Sequence, residues 1–126
     1  MSKESLFLIK PGEKSERIAR EAVDAATSLN LIVSFMGRKV LAPEEAIELY
    51  RPFEREPWFS DFMSYMTSGA TQVYLTEGEG AIEKTLEVRR RVRKIFAIDR
   101  RRNAIHSPKT KEDSRRNIEL FRRIFP

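Results

Sequence analysis

The chain contains a single histidine, His106, in the most basic part of the sequence. Residues 100–103, just before it, read Arg-Arg-Arg-Asn. An imidazole with a pKa near ~6.5 is largely neutral at physiological pH, so it can attack phosphorus and form a phosphohistidine. Such a transfer needs nearby cations, because phosphoryl transfer is catalysed mainly by positioning and electrostatic stabilisation. The pattern favours phosphoryl transfer, and the open alternative is a histidine in a surface loop among arginines.

Cations that suit this role are concentrated in the C-terminal third of the chain. Residues 1–88 carry 10 Lys and Arg against 15 Asp and Glu, whereas residues 89–126 carry 14 against 4. Candidates to stabilise phosphate charge are Lys10, Arg93, Arg89 or Arg90, and the cluster at 100–102. A surplus of this size attracts phosphates of a nucleotide or a nucleic acid. A solvated basic face that serves solubility is the alternative.

Other common chemistries are excluded by what the sequence lacks. It has no cysteine, which excludes disulfides and thiolate metal sites, and one histidine alone does not complete a zinc ligand set. Neither a P-loop, nor a dinucleotide-binding glycine motif after a strand, nor a serine-nucleophile elbow is present. The pair Gly78 and Gly80 is too short a motif to specify a phosphate-binding loop.

Periodicity predicts the elements that must position these residues. Apolar runs predict strands at 5–9, 31–41, 71–76 and 95–98. Amphipathic spacing predicts helices at 15–29, 43–50, 58–66, 81–90 and 112–125. The first strand is apolar throughout, which predicts burial on both faces. The order of elements predicts an α+β, ferredoxin-like βαββαβ sandwich with a four-stranded antiparallel sheet, helices packed on one sheet face, and a C-terminal helix.

The length and composition favour one domain over residues 1–126. The apolar runs are far shorter than the roughly 20 residues that span a membrane, so no membrane association is expected. The N-terminus lacks the long apolar segment of a secretory signal. We therefore expect a cytoplasmic protein.

Five short motifs, in order and with matching spacing, resemble the nucleoside diphosphate kinases over most of the chain. They are residues 8–12 (Leu-Ile-Lys-Pro-Gly), Tyr50 seven residues before 57–59 (Pro-Trp-Phe), 65–70 (Tyr-Met-Thr-Ser-Gly-Ala), 77–82 (Glu-Gly-Glu-Gly-Ala-Ile) and 102–106 (Arg-Asn-Ala-Ile-His). Each motif is weak alone. Together they make a specific signal.

The resemblance implies a ping-pong kinase with Mg²⁺ on the nucleotide phosphates, moving the γ-phosphoryl group from a nucleoside triphosphate to a nucleoside diphosphate. His106 would be the phosphorylated nucleophile and Tyr50 would hydrogen-bond near it. Lys10 would contact ribose and phosphate, and Asn103 the sugar hydroxyl. These roles suit their side chains, since Lys pairs with phosphates and imidazole attacks phosphorus.

Two further positions follow from the same resemblance. Trp58 stands where the family stacks the base on a phenylalanine, so stacking on a larger aromatic face is expected. Arg93 stands where the family has an arginine on the phosphates.

Departures from the family pattern are also clear. Leu86 occupies the place of a phosphate-binding arginine, so Arg89 or Arg90, about one helical turn further on, is the candidate substitute. Asn117 aligns with the carboxylate that orients the histidine. After His106 the family's Gly-Ser-Asp is replaced by Ser-Pro-Lys at 107–109, so the serine and the acid near the nucleophile are expected to be lost.

The segment between Leu86 and Arg93 is shorter than in typical members of the family. This shortening removes much of a loop that, in the family, bears a phosphate-binding threonine and helps hold hexamers together. We therefore expect a dimer or a tetramer.

Two other classes of function stay open. The domain could be a catalytically weak or inactive relative that binds nucleotides or, through the basic tail, nucleic acid. A third hypothesis is an assembly role built on apolar side chains such as Phe62 and Phe121. Phosphorylation of His106 would distinguish the kinase from both.

Overall fold

The computed structural model describes residues 3–96 and 104–126. The strands are β1 (Glu4–Ile9), β2 (Ile32–Val40), β3 (Ala70–Glu77) and β4 (Ile105–His106). The helices are α1 (Ser15–Ser28), α2 (Pro43–Tyr50), α3 (Phe59–Met66), α4 (Ala81–Phe96) and α5 (Lys111–Ile124), and a 3₁₀ turn covers Arg51–Phe53. The five helices and the first three strands lie within a few residues of their predicted positions, except that α4 is longer.

The four strands form one sheet in the order β2-β3-β1-β4. Every neighbouring pair is antiparallel. This confirms the predicted ferredoxin-like arrangement. The short strand β4 pairs with the end of β1, where His106 lies opposite Leu8. The sheet therefore places the histidine beside the last residues of β1, just before Lys10.

Helices cover both faces of the sheet, which corrects the expectation of helices on one face. Leu6 and Leu8 of β1 pack with α2, α3 and α5. Phe7 and Ile9 point the other way and pack with α1 and α4. All four side chains are fully buried, as the continuous apolar run predicts, because successive side chains of a strand point to opposite faces.

The prediction of a fourth strand at 95–98 is wrong for the described part of that range. Ile95 and Phe96 are the last residues of α4, and residues 97 and 98 lie outside the described residues. The apolar stripe of α4 continues beyond Arg90, because Val92, like Val88 one turn earlier, is buried against the sheet. The helix therefore continues past the predicted end, and β4 falls on Ile105–His106 instead.

Local capping explains where two of the helices that line the site, α2 and α5, begin. Pro43 occupies the first turn of α2, and the Ala42 N–H donates to Glu45 Oε1 at 2.7 Å. Thr110 Oγ1 accepts from the Asp113 N–H at 3.1 Å and caps α5. These caps fix the ends of the helices that carry Tyr50 and Asn117.

No helix in the described ranges is both long and apolar enough to cross a bilayer.

Candidate active site

His106 lies at the end of β4 and is partly exposed. Its Nε2 is 2.9 Å from Asn117 Oδ1. With the amide oxygen as acceptor, Nε2 carries the ring proton and donates it to Asn117. The other ring nitrogen, Nδ1, then keeps its lone pair, so the neutral imidazole has one nucleophilic atom.

Asn117 is held on the inner face of α5, where Ser114, Ile118 and Phe121 are also buried. The amide reaches the histidine because α5 packs across the sheet beside β1. The predicted alignment of Asn117 with the orienting position is consistent with this hydrogen bond. A neutral amide orients the ring without adding a negative charge.

The surroundings of the imidazole disfavour its charged form. Burial lowers the pKa of His106 to about 3, and the positive charges of Lys10, Arg89 and Arg93 act in the same direction. The hydrogen bond to Asn117 acts in the opposite direction; its effect is smaller than that of burial but larger than that of any one of the three charges. His106 is therefore a neutral base at physiological pH.

Two arginines of α4, one helical turn apart, hold the backbone on either side of His106. Arg93 donates from Nε and Nη2 to the Ile105 carbonyl at 3.2 and 3.0 Å. Arg89 Nη1 donates to the Ser107 carbonyl at 3.1 Å. Each guanidinium keeps further N–H groups beyond these bonds. The pair positions β4 and also brings two positive charges to the nucleophile.

The surroundings of Arg89 and Arg93 also disfavour the charged form of each guanidinium group. Burial lowers the pKa of Arg93 to about 10, with a smaller contribution from the charge of Arg89. Burial also lowers the pKa of Arg89. An anion bound between them would compensate both effects, because it neutralises the like charges.

Lys10 follows β1 directly and its side chain is buried. Its Nζ lies 5.1 Å from the centroid of the Phe62 ring, a cation–π distance. Its backbone N–H donates to the Ala104 carbonyl at 2.9 Å. Ala104 has a φ of 76°, a strained value for a residue with a side chain, immediately before Ile105 and His106.

A chain of ring contacts leads from the surface to the histidine. Phe53 contacts Trp58, Trp58 meets Phe62 edge-on, and Phe62 meets Tyr50 edge-on. Tyr50 in turn meets the His106 ring at a centroid distance of 5.1 Å and 72°. The contact between Tyr50 and His106 is therefore a ring contact.

Two hydroxyl groups beside the histidine are buried and have no hydrogen-bond partner among the described residues. They belong to Tyr50 and Ser107. Burial raises the pKa of Tyr50, so its phenol stays protonated. Ser107 directly follows His106 in the chain, so its hydroxyl lies close to the nucleophile.

These side chains surround a cavity of about 480 Å³. We call its two sides the aromatic wall and the cationic wall. The aromatic wall consists of Leu49, Tyr50, Pro52, Phe53, Trp58 and Phe62. The cationic wall includes Lys10, Arg89, Arg93, Lys109 and Arg116 around His106. In the described part of the chain, Asp113 is the one acidic residue in the lining.

The structure thus brings together six of the eight predicted site residues, namely Lys10, Tyr50, Trp58, Arg89, Arg93 and His106. Arg90 points away, outside the cavity lining, and pairs with Glu87. Asn103 lies outside the described residues. Between Arg89 and Arg90, the choice that the sequence left open, the geometry favours Arg89.

Several lining residues were not predicted as site residues from the sequence, among them Phe53, Lys109 and Arg116. Phe53 could have been identified, because an aromatic residue in a polar, proline-rich segment is not expected to be buried in the core and is therefore a candidate for ligand binding. Lys109 and Arg116 gave no such indication, since they are two cations among many.

Across residues 3–96 and 104–126, no cluster of three or more His, Asp or Glu side chains is placed to hold a metal ion. The cavity instead fits a ligand with a planar apolar end and a polyanionic end.

Comparison with protein families and with curated proteins agrees with this chemistry. The family model described as nucleoside diphosphate kinase matches residues 3–124. The nucleoside diphosphate kinase of a Nitratiruptor species is 27% identical over 127 residues, covering 93% of each chain. That of Helicobacter pylori is 27% identical over 131 residues, covering 96% of each chain.

Solved structures share the fold. A crystal structure of the Aquifex aeolicus nucleoside diphosphate kinase matches with a TM-score of 0.81 at 23% identity, covering 94% of this chain and 93% of that chain. The Encephalitozoon cuniculi nucleoside diphosphate kinase matches with a TM-score of 0.79 at 18% identity, covering 94% of this chain and 88% of that chain.

Proposed function

The chain belongs to the nucleoside diphosphate kinase family, and on that premise we propose that His106 carries the phosphoryl group between two nucleotides. The protein is a phosphotransferase that moves the γ-phosphoryl group of a nucleoside triphosphate to a nucleoside diphosphate. One observation carries the assignment of the site. The neutral His106 lies in a cavity between a cationic wall and an aromatic wall.

In the first half-reaction the lone pair of His106 Nδ1 attacks the γ-phosphorus. The bond between that phosphorus and the β,γ-bridging oxygen breaks, and the nucleoside diphosphate leaves with the electron pair. The Nε2–H stays on the ring and continues to donate to Asn117, so no base is needed to remove a proton.

In the second half-reaction a terminal oxygen of another nucleoside diphosphate attacks the phosphorus. The N–P bond breaks, and its electron pair returns to Nδ1. Lys10, Arg89 and Arg93 stabilise the phosphate charge in both directions. Since the same groups surround donor and acceptor, one site serves both half-reactions.

The remaining roles follow from position. Tyr50 packs edge-on against the imidazole and holds its ring plane. Trp58 provides the face on which a nucleobase stacks. Asn103 is assigned to the sugar hydroxyl on the resemblance alone.

Mg²⁺ belongs to the substrate in this proposal. The cavity lining offers a single acidic side chain among the described residues, Asp113, so the protein residues do not fit a resident metal site. Magnesium bound to the nucleotide phosphates supplies charge neutralisation when the substrate enters. No residue of this chain is assigned to it.

Intact-mass analysis tests the proposed nucleophile. After incubation with ATP and Mg²⁺ we expect a gain of one phosphoryl group, which disappears when a nucleoside diphosphate is added. The His106→Ala variant serves as the control and should show no gain. Phosphotransfer without any mass gain, or a mass gain that survives in His106→Ala, would contradict the assignment.

We also propose that the protein self-associates through β2. This strand lies at an edge of the sheet, and Ile32, Phe35 and Val40 are the most exposed large apolar residues on it. The Phe35 ring packs on Tyr74, which stacks on Phe7, so a row of rings crosses the sheet and ends at an exposed ring. Such an edge is suited to pairing with a second copy.

Analytical ultracentrifugation tests this interface. We expect a dimer or tetramer for the wild type and a shift toward monomer for Phe35→Glu. Ser60→Glu, at an exposed neutral residue in the first turn of α3, adds the same single negative charge and is the matched control. A monomeric wild type would contradict the proposal.

Nucleic-acid binding by the basic segment 89–126 is the competing proposal, and the ion pairs weigh against it. Arg122 pairs with Glu4 at 3.2 Å, and Arg116 lies 3.9 Å from Asp113. Arg123 pairs with Glu48, and Arg115 with Glu119. These pairs reduce the charge available to a phosphate backbone. A steep fall of log affinity for DNA with log salt, unchanged in His106→Ala, would favour the competitor.

The single-domain organisation over residues 1–126 and the cytoplasmic location stay predictions.

A further inference from the structure

Phe53 is an exposed aromatic residue that neither the core nor the phosphoryl transfer uses. Its residue surface is 47% exposed. The other large exposed apolar residues of the described chain, Ile32, Phe35, Val40 and Ile95, do not line the cavity. Phe53 does, at the outer edge of the aromatic wall.

Phe53 and Trp58 form one continuous surface. Their ring centroids are 5.8 Å apart and their planes are inclined by 39°. A flat base between them would need two contacts of about 3.5–4.0 Å each, or about 7 Å in total. The rings are too close for that. Because both rings line the cavity, a base can contact the pair, which we call the platform, only from the cavity side.

The backbone between the two rings keeps this platform in place. The Glu56 N–H donates to the Phe53 carbonyl, and the Phe59 N–H donates to the Glu56 carbonyl, both at 3.0 Å. Trp58 is also held edge-on by Phe62, at 5.8 Å and 82°. A ligand therefore meets rings that are already arranged, which reduces the entropy lost on binding.

We propose that Phe53 and Trp58 together select purine over pyrimidine nucleotides. This inference rests on the proposed function, since His106 and the cationic wall must anchor the phosphates first. With the phosphates anchored, the base extends along the aromatic wall toward the surface. A pyrimidine covers one ring of the platform, whereas the larger bicyclic face of a purine reaches the second. Stacking on aromatic faces increases with the contact made, so Phe53 adds affinity only for the larger base.

Calorimetric titration of the wild type with ADP, GDP, CDP, UDP and inorganic pyrophosphate tests the proposal. Diphosphates bind without turnover in the absence of a phosphoryl donor. We expect purine diphosphates to bind several-fold more tightly than pyrimidine diphosphates. Trp58 is the only tryptophan of the chain, so its fluorescence reports occupancy of the platform independently.

The decisive variant is Phe53→Leu, which keeps an apolar side chain but removes the flat ring. We expect purine affinity to fall by about five- to tenfold, the lower part of the range for one stacking face, and pyrimidine affinity to change much less. Pyrophosphate affinity should be unchanged, because that ligand does not reach the platform. Ile95→Ala, which removes an exposed apolar side chain outside the cavity, should leave the ratio of purine to pyrimidine affinity as in the wild type.

The outcomes separate this inference from the proposed function. If nucleotides bind and phosphorylate His106 but purines and pyrimidines bind equally, the selection by Phe53 is wrong and the kinase assignment stands. An equal loss for all ligands in Phe53→Leu, pyrophosphate included, would show a structural role and overturn the inference. If neither binding nor phosphorylation occurs in the wild type, the proposed function fails and takes the inference with it.

Discussion

The two walls of the cavity are built in different ways. The aromatic wall comes from one continuous stretch, residues 49–62, whose rings contact one another in the spatial order Phe53, Trp58, Phe62 and Tyr50. The cationic wall comes from the end of β1, from α4, and from β4 with α5, segments that are far apart in the chain. The first wall is therefore set largely by local structure, and the second exists only after the sheet and helices have assembled.

The walls also differ in how their groups tolerate burial. Apart from the Tyr50 hydroxyl, the rings make apolar contacts, whose burial needs no compensating partner. The cations do need one, because burial lowers the pKa values of Arg89 and Arg93 and adjacent positive charges oppose one another. The cationic wall is therefore suited to binding an anionic group such as a phosphate, and the aromatic wall to binding a flat, uncharged group such as a nucleobase. Substitutions on the two sides should affect different kinetic parameters.

The largest effect should come from the nucleophile itself. We expect His106→Gln to reduce phosphotransfer by about 10⁴-fold or more, because no other side chain in the described cavity replaces the imidazole. Nucleotide binding, followed by Trp58 fluorescence, should persist. Residual activity within tenfold of the wild type would show that a different group carries the phosphoryl transfer.

The cationic wall should show the next largest effect. Arg93→Gln and Arg89→Gln should each lower kcat by about 10²-fold, the usual result of removing one electrostatic contact to developing charge. Arg91→Gln is the matched control, since Arg91 is exposed and pairs with Glu87. Steady-state kinetics of the three variants measures the difference. Equal losses in all three would mean that overall charge, rather than the geometry around His106, supports catalysis.

A smaller effect, and on a different parameter, is expected for the aromatic wall. Trp58→Leu should raise KM by about tenfold through lost stacking and change kcat by much less. The same kinetic assay distinguishes the walls. If Trp58→Leu instead lowered kcat with KM unchanged, the ring would act on the chemical step, and the contrast between the walls would be wrong.

The imidazole of His106 should not become protonated in the pH range in which an ordinary histidine does. Its pKa is lowered to about 3, so the ring stays neutral from about pH 8 down to about pH 5. As the only histidine, it gives a single set of imidazole NMR signals, and these should not titrate across that window. A midpoint near ~6.5 would contradict the burial argument.

Asn117→Asp sharpens the same test. A carboxylate at this position favours the protonated imidazole and raises the pKa of His106. Activity of the variant should therefore fall as the pH decreases through the raised pKa, while that of the wild type stays level. Asn117→Ala, which adds no charge, separates the loss of orientation from the electrostatic change.

Protein stability should depend on pH for the same reason. Because the pKa of His106 is lower in the folded state than in the unfolded chain, the unfolded chain binds more protons between about pH 6.5 and pH 3. The free energy of unfolding is then highest above this window and decreases as the pH falls through it. Thermal unfolding of His106→Gln should show a weaker dependence there than the wild type.

Much of the fold could be predicted from apolar periodicity. The run 5–9 predicts burial on both faces, and all of Leu6, Phe7, Leu8 and Ile9 are buried. The end of α4 could not be predicted from this pattern alone, because the run 95–98 suits a strand as well as a helix. Burial of Val88 and Val92 against the sheet favours the helix, and this contact is not visible in local sequence.

Some residues of the site could be predicted from the sequence and others could not. Motifs placed His106, Lys10, Tyr50 and Trp58 in one cavity, but they left open which of two adjacent arginines replaces the one lost at Leu86. The phase of α4 separates them, since Arg89 reaches the Ser107 carbonyl and Arg90 reaches Glu87. Successive side chains of an α-helix point about 100° apart around its axis, so Arg89 and Arg90 face different surroundings.

The sequence by itself determined the chemistry of this protein: a single nucleophilic imidazole, a surplus of cations in the last third of the chain, and motifs in the order of one family. Tertiary structure alone decided how these groups act. It selected Nδ1 as the nucleophilic atom by placing Asn117 against Nε2, and it brought Arg89 and Arg93 to either side of His106. It also joined Phe53 to Trp58. Residue types are written in the chain, but distances and desolvation arise only where separate segments pack together.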